Sequence, residues 1–155
     1  MRVLRLTQDS FRISVDPART LSQMIEACHF WRVGRTCVGT RMDGPISASR
    51  LLDVSIAVIA GRRQLSTDDI LVALRELNKR PLHFEELLAL AATLQDIQLR
   101  LCAIALASQW HAPDGSRYVA SCRLQSKRVL SFLPLEPEPA WVRSLDCFPC
   151  SPANT

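Results

Sequence analysis

Apolar residues recur at helical spacing in two stretches that each follow a capping residue. After Thr20, the residues Leu21, Met24, Ile25 and Cys28 fall at i, i+3, i+4 and i+7, which predicts a short helix with one buried stripe. Ser66 is followed by two aspartates and a second apolar stripe. Carboxylates are favourable in the first turn of a helix, so this pattern predicts a second helix that begins after Ser66. The pattern predicts that this second helix ends near Asn78.

A third helix is predicted after Pro81, because proline is favoured at the first helical position. Its apolar stripe consists of Phe84, Leu87, Leu88, Ala91 and Leu94. Glu85 and Glu86 fall between these positions, and we predict that both carboxylates lie on the outer face of the helix.

The remaining apolar positions follow strand patterns. Residues 2–15 contain two extended segments, and residues 51–60 are almost continuously apolar, which is typical of a central strand. Residues 101–135 predict a three-stranded meander, and residues 142–148 a short return to the sheet. The predicted fold class is therefore α+β: a mostly antiparallel sheet with two or three helices packed on it and a C-terminal β-meander. Residues 1–148 are predicted to form a single domain, and residues 149–155 a disordered tail.

Length and composition limit the class of protein. The chain has 155 residues, of which 48% are hydrophobic and 22% charged. A chain of this size can bury about 70% of its unfolded surface, so a core can form without disulfides or metal. No signal-peptide core and no apolar run of bilayer length is present, which predicts a cytoplasmic protein with no membrane partner. Its six cysteines are then expected to be reduced thiols.

Three stretches carry a resemblance to a known group of sequences. The first ends a strand at Val15 and continues to the aromatic pair Phe30-Trp31, and the second is Arg80-Pro81 followed by Glu-Glu-Leu-Leu-Ala-Leu. The third runs from Gln98 through residues 104–108 to Trp110, with Trp141 near the end. In order and spacing the chain resembles an uncharacterised family of small bacterial and phage-borne proteins. The resemblance implies the fold and transfers no catalytic role, since the family has no assigned reaction or ligand.

Cys147 and Cys150 form the sharpest local motif, a C-x-x-C pair. Two thiols at this spacing can share a metal or form a reversible disulfide. However, redox pairs of this kind sit at the start of a helix, and a second C-x-x-C pair is missing. We predict incidental thiols, no metal site and no cofactor, although the sequence leaves open whether Cys147 and Cys150 have a redox or metal role.

Catalytic motifs are also missing from the chain. Cys28 and His29 are adjacent, but neighbouring residues on a helix point about 100° apart and do not face each other. No glycine-rich phosphate loop, paired-carboxylate motif or nucleophile elbow is present. The sequence therefore predicts a protein that is not an enzyme.

Charge is distributed unevenly along the chain. Residues 1–63 carry ten arginines and five carboxylates, whereas the remainder carries nine basic and ten acidic side chains. The segment 29–45 combines aromatic and basic residues in a predicted loop, which is suited to stacking and phosphate contacts. We predict a non-enzymatic interaction module with a protein partner, and as the alternative a nucleic-acid-binding protein that uses this loop. The candidate contact residues are Phe30, Trp31, Arg32, Arg35 and Arg41.

Overall fold

The structure is a computed structural model of the chain. It describes residues 3–34, 40–44, 49–61, 64–94, 102–124, 127–135, 141–142 and 146–154. Along the chain the elements are β1 (Leu4–Val15), α1 (Leu21–Ala27), β2 (Arg32–Val33), β3 (Thr40–Arg41), β4 (Arg50–Ile59), β5 (Gln64–Leu65), α2 (Thr67–Glu76), β6 (Lys79–Pro81), α3 (Phe84–Thr93), β7 (Cys102–His111), β8 (Arg117–Arg123), β9 (Val129–Pro134), β10 (Trp141–Val142) and β11 (Asp146–Pro152).

Capping boxes fix the starts of α1 and α2 where the sequence predicts them. The Thr20 hydroxyl accepts the N–H of Gln23 at 3.1 Å, and the Gln23 side chain accepts the N–H of Thr20 at 2.9 Å. Ser66 and Asp69 make the equivalent pair of bonds, both at 3.1 Å. Each pair satisfies N–H groups that the first helical turn leaves without partners. After α2, Asn78 adopts a positive φ of 56°, which ends the helix at the predicted position.

The main sheet has the strand order β1-β4-β11-β7-β8-β9-β2, with β3 beside β7 and β6 beside β11. The predicted central strand is β4, which lies between β1 and β11. The predicted meander is β7-β8-β9, in which both neighbouring pairs are antiparallel. The α+β class is confirmed. The segment 29–45, predicted as a loop, contributes the two short strands β2 and β3.

The sheet is mixed, because β11 runs parallel to β7 and β2 runs parallel to β9. The prediction of a disordered tail from residue 149 is wrong for residues 149–152, which belong to β11. Cys150 and Ser151 are fully buried between β4 and β6. Prolines at 149 and 152 favour a break in a strand, but the burial of their neighbours outweighs this preference.

Apolar side chains cover both faces of the sheet. On one face, α1 and α3 bury Met24, Leu87 and Leu88 against β4, β7 and β8. On the other face, α2 buries Ile70 and Leu74 in a cluster that also contains Ile59, Ile104, Trp141 and Phe148. The helices therefore form layers on both sides of one sheet, which is how such a sheet hides its two apolar faces.

Candidate functional site

A network of charged side chains surrounds the start of α3. Arg41, on β3, donates from Nε and Nη2 to the two carboxylate oxygens of Asp43, at 2.7 and 2.9 Å. Its Nη2 also lies 2.5 Å from Glu85 Oε1. The side chains of Arg41 and Asp43 are each only 12% exposed. The guanidinium also lies 6.0 Å from the ring centre of Phe84 and 5.8 Å from that of Trp110, within the range of cation–π attraction.

Ser108, on β7, connects this network to the helix. Its hydroxyl donates to Asp43 Oδ2 at 2.7 Å and accepts the backbone N–H of Phe84 at 2.6 Å. Arg41 Nη2 donates to the Ser108 hydroxyl oxygen at 3.0 Å. Ser108 itself is fully buried, and its bond to Phe84 lies away from solvent. Ser108 therefore holds the first turn of α3 against β7.

The prediction that Glu85 and Glu86 face solvent is wrong, because both are buried, at 4% and 0% exposure. Glu86 accepts bonds from the Arg80 guanidinium at 2.9 and 2.8 Å and from the N–H of His83 at 2.8 Å. Glu85 is held by Arg41. A buried carboxylate is tolerated when cations and N–H groups compensate its lost hydration. The helical pattern does not show such partners, because they come from other segments.

Two of these carboxyl groups have lowered pKa values. Burial alone would raise the pKa of Asp43, but hydrogen bonds from Arg41, Ser108 and His83 outweigh it and lower the pKa. Burial opposes ionisation of Glu86 in the same way, and the bonds from Arg80 and His83 again lower the pKa. Both groups are therefore held as carboxylates at neutral pH.

His83, Asp43 and Ser108 are the residue types of a nucleophilic triad, but their bonding order differs from one. In a triad the serine hydroxyl bonds to the imidazole, which removes its proton. Here both the imidazole Nδ1 of His83, at 2.8 Å, and the hydroxyl of Ser108 bond to the same oxygen of Asp43. The imidazole is not bonded to the serine. This arrangement anchors α3 and does not activate Ser108 as a nucleophile.

The candidate contact residues from the sequence divide between two places. Trp31 and Arg32 lie together at the β2 edge of the sheet, where the Trp31 side chain is 62% exposed. Phe30 is partly buried and packs against the cluster under α1 and α3. Arg41 belongs instead to the buried network beside β7, and Arg35 lies outside the described residues.

The exposed tryptophan is surrounded by basic side chains. Lys127 Nζ lies 4.9 Å from the centre of the Trp31 ring, a cation–π contact. Trp31, Arg32 and Arg123 line one groove of about 250 Å³ on the sheet. We call Trp31, Arg32, Arg123 and Lys127 the Trp31 surface. Arg123 and Lys127 were not predicted from the sequence, although both lie near the turn that joins two predicted strands.

Arg128 fixes the backbone under the Trp31 surface. Its carbonyl accepts the N–H groups of Trp31 at 2.8 Å and Arg32 at 3.3 Å. Its guanidinium donates to the Leu94 carbonyl at 3.2 Å and to the carbonyl of Ala91, both at the end of α3. A cation is favourable at this end of a helix. Trp31 is thus presented on a backbone that is bonded to the sheet.

The C-x-x-C thiols point to opposite faces of β11. Cys147 belongs to the cluster under α1 and α3, whereas Cys150 belongs to the cluster under α2. The two thiols are therefore not placed to share a ligand. Burial raises the pKa of Cys147 and raises that of Cys150 to about 11. Within the described residues, His, Cys, Asp and Glu form no group arranged to hold a metal ion.

No protein-family model, no curated protein and no solved structure matches this chain. The resemblance to small bacterial and phage-borne proteins stays a prediction.

In the part of the chain that the structure describes, no helix is long and apolar enough to cross a bilayer.

Proposed function

We propose that the chain is a non-enzymatic protein-interaction module and that its partner docks on the Trp31 surface. The observation that carries this proposal is the exposed indole of Trp31, set among Arg32, Arg123 and Lys127. Tryptophan and arginine are the residues that most often dominate the binding energy of protein interfaces. Exposing an apolar ring of this size to water is unfavourable in free energy. A partner that covers the ring recovers this free energy.

The charge of the surface indicates the kind of protein partner. Three of its four side chains are cations, and among the described residues Asp146 is the carboxylate that lines the same groove. An acidic segment with an aromatic or aliphatic residue complements this arrangement. The bonds from Trp31 and Arg32 to the Arg128 carbonyl fix the backbone beforehand. Little backbone conformational entropy is then lost on binding.

Single-stranded nucleic acid is the second candidate partner. The Trp31 ring offers a stacking surface, and the nearby cations offer phosphate contacts. However, Arg41 is occupied by Asp43 and Glu85 and is largely buried, which shortens the basic track that the sequence indicates. This shorter basic track favours a protein partner over a nucleic acid.

A display library of random peptides, selected on the full chain and counter-selected on Trp31→Ala, tests the proposal. We expect acidic peptides that contain an apolar residue, and a synthetic copy should bind Trp31→Ala about tenfold or more weakly. Val72→Ala removes an exposed apolar side chain of α2 and serves as the control, with unchanged binding.

A labelled single-stranded oligonucleotide is titrated in parallel at increasing salt. Tight binding that falls steeply with salt and is lost in Trp31→Ala would replace the proposal with the nucleic-acid function. If neither probe distinguishes Trp31→Ala from the parent chain, the Trp31 surface is not the contact site.

A further inference from the structure

A cavity of about 560 Å³ lies beside β1, at the edge of the sheet opposite to the Trp31 surface. α1 and α3 supply its apolar wall, which includes Met24, Leu88, Ala89 and Ala92. Binding sites for small molecules typically measure roughly 300–1,000 Å³. The cavity is therefore large enough to receive a ligand or a short peptide segment.

The cavity lies against the edge of β1. Its lining includes Ser14, which is exposed, and Val15, which is buried on the helix side of the sheet. Neighbouring residues of a strand point to opposite faces, so a cavity that touches both lies along the strand edge. β1 pairs with β4 on one edge, and in the described part of the chain nothing pairs with its other edge. Alternate N–H and C=O groups of β1 on that edge are then available for hydrogen bonds.

The two carboxylates in the lining already have internal partners. Glu85 lies 2.5 Å from the guanidinium of Arg41. Asp16 accepts the backbone N–H of Ala18 at 2.9 Å within its own turn. These bonds reduce the tendency of either carboxylate to attract a cation into the cavity.

The two arginines that line the cavity differ in whether the guanidinium already has a bonding partner. Arg12 donates to Asp53 on the neighbouring strand β4 at 3.1 Å. The exposed side chain of Arg19 has no hydrogen-bond or ion-pair partner among the described residues. Among the described residues that line this cavity, the charged group without a partner is therefore the Arg19 guanidinium, which is complementary to a carboxylate.

We propose that this cavity, which we call the β1 groove, binds an extended peptide segment of a protein partner, and that this segment adds a strand to the free edge of β1. An apolar side chain of the peptide packs against Met24 and Leu88, and a carboxylate pairs with Arg19. Residues 12–15 of β1 span about 10 Å, the length of a strand of roughly four residues. Strand addition draws affinity from main-chain hydrogen bonds and specificity from alternate side chains. The groove is a second surface of the proposed interaction module and does not depend on the Trp31 surface.

Peptide display on the full chain, counter-selected on Ala92→Trp, tests this proposal. Ala92→Trp fills the groove from α3, and Thr93→Trp fills it from an exposed position of the same helix. A synthetic copy of a selected peptide should bind both variants about tenfold or more weakly. Val72→Trp, at an exposed position of α2, and Trp31→Ala should bind it like the parent. Thermal melting shows which variants are folded.

Two further measurements identify the binding mode. N-methylation of single amides along the peptide should abolish binding at alternate positions, because only those amides bond to the β1 edge. Arg19→Glu should weaken the parent peptide, and a peptide with lysine in place of its carboxylate should regain affinity for Arg19→Glu.

Three outcomes overturn the proposal. One is that no peptide distinguishes the parent from Ala92→Trp and Thr93→Trp. Another is that the selected peptide tolerates N-methylation at every amide. The last is that binding is lost in Trp31→Ala alone, which supports the Trp31 surface and leaves the β1 groove without a ligand.

Discussion

The hydroxyl of Ser108 accepts the backbone N–H of Phe84, the first residue of α3, at 2.6 Å. The helix is thus capped by a strand that comes later in the chain, while the side chain of His83 at the N-cap position bonds to Asp43 instead. Because the same hydroxyl also bonds to Asp43, one buried oxygen connects α3, β7 and the segment after β3. The position of α3 on the sheet therefore depends on this contact.

Ser108→Ala should lower the free energy of unfolding by about 1–3 kcal/mol, because it leaves the N–H of Phe84 buried without a cap. Urea denaturation measures the change. Ser131→Ala, on β9, is the matched control and should stay within about 0.5 kcal/mol of the parent. Equal losses in the two variants would show that Ser108 has no special role at α3.

Arg41→Met should be far more damaging than the loss of a surface cation. It leaves the carboxylates of Asp43 and Glu85 buried without their cation, which typically costs about 3–5 kcal/mol. Arg12→Met removes an exposed ion pair with Asp53, which solvent screens, and should change the unfolding free energy little. The two variants are compared in one denaturation series. A small loss for Arg41→Met would mean that the network does not stabilise the start of α3.

The stability of the fold should fall in acid. Asp43 and Glu86 have lowered pKa values in the folded chain, so both contribute stability above the ordinary carboxyl range, which lies near pH 4. This contribution is lost as the pH falls through that range and then through the lowered folded pKa values. Asp43→Asn should flatten the fall in unfolding free energy between neutral pH and pH of about 3. Glu76→Gln, which removes an exposed carboxylate of α2, is the control variant.

Local patterns predicted the elements whose determinants lie within a few residues. Thr20 and Ser66 cap their helices with partners three positions away, and β4 is recognisable from its continuous apolar run. Alternation similarly indicated the strands of the meander. These features need no information about distant segments.

The features that were missed depend on partners far along the chain. Glu85 faces inward because Arg41 compensates its charge from 44 positions away, and Ser108 appears in the sequence only as one alternating position of a strand. Arg80 lies six residues before Glu86, and this spacing is the one local signal for a buried carboxylate there. The parallel placement of β11 beside β7 is equally non-local.

The buried thiols should resist alkylation in the folded chain. Burial raises the pKa of Cys28 and Cys150 to about 11, and it also raises that of Cys147. Because the thiolate is the reactive form, iodoacetamide at mildly alkaline pH should label these three residues only after unfolding. Peptide mass spectrometry locates the labels, and the half-buried Cys102 is the internal comparison. Rapid labelling of Cys147 in the native protein would contradict its place under α1 and α3.

Trp31 and Trp141 should respond in opposite ways to removal of the ring. Trp141 is 3% exposed, donates from Nε1 to Thr67 at 3.0 Å and meets the Phe148 ring edge-on at 5.8 Å. Trp141→Ala should therefore cost about 3–5 kcal/mol of unfolding free energy. Trp31→Ala should cost no more than about 1 kcal/mol, which is the scale of its exposed contact with Lys127.

Acrylamide quenching of tryptophan fluorescence provides an independent measurement. The emission that Trp31→Phe removes should be the readily quenched fraction, because that ring faces solvent, while the emission of Trp141 should be protected. This comparison bears directly on function, since a partner can only use an accessible ring. If Trp31→Ala destabilises the fold as much as Trp141→Ala, the indole belongs to the core. The Trp31 surface is then unavailable to protein and nucleic acid alike.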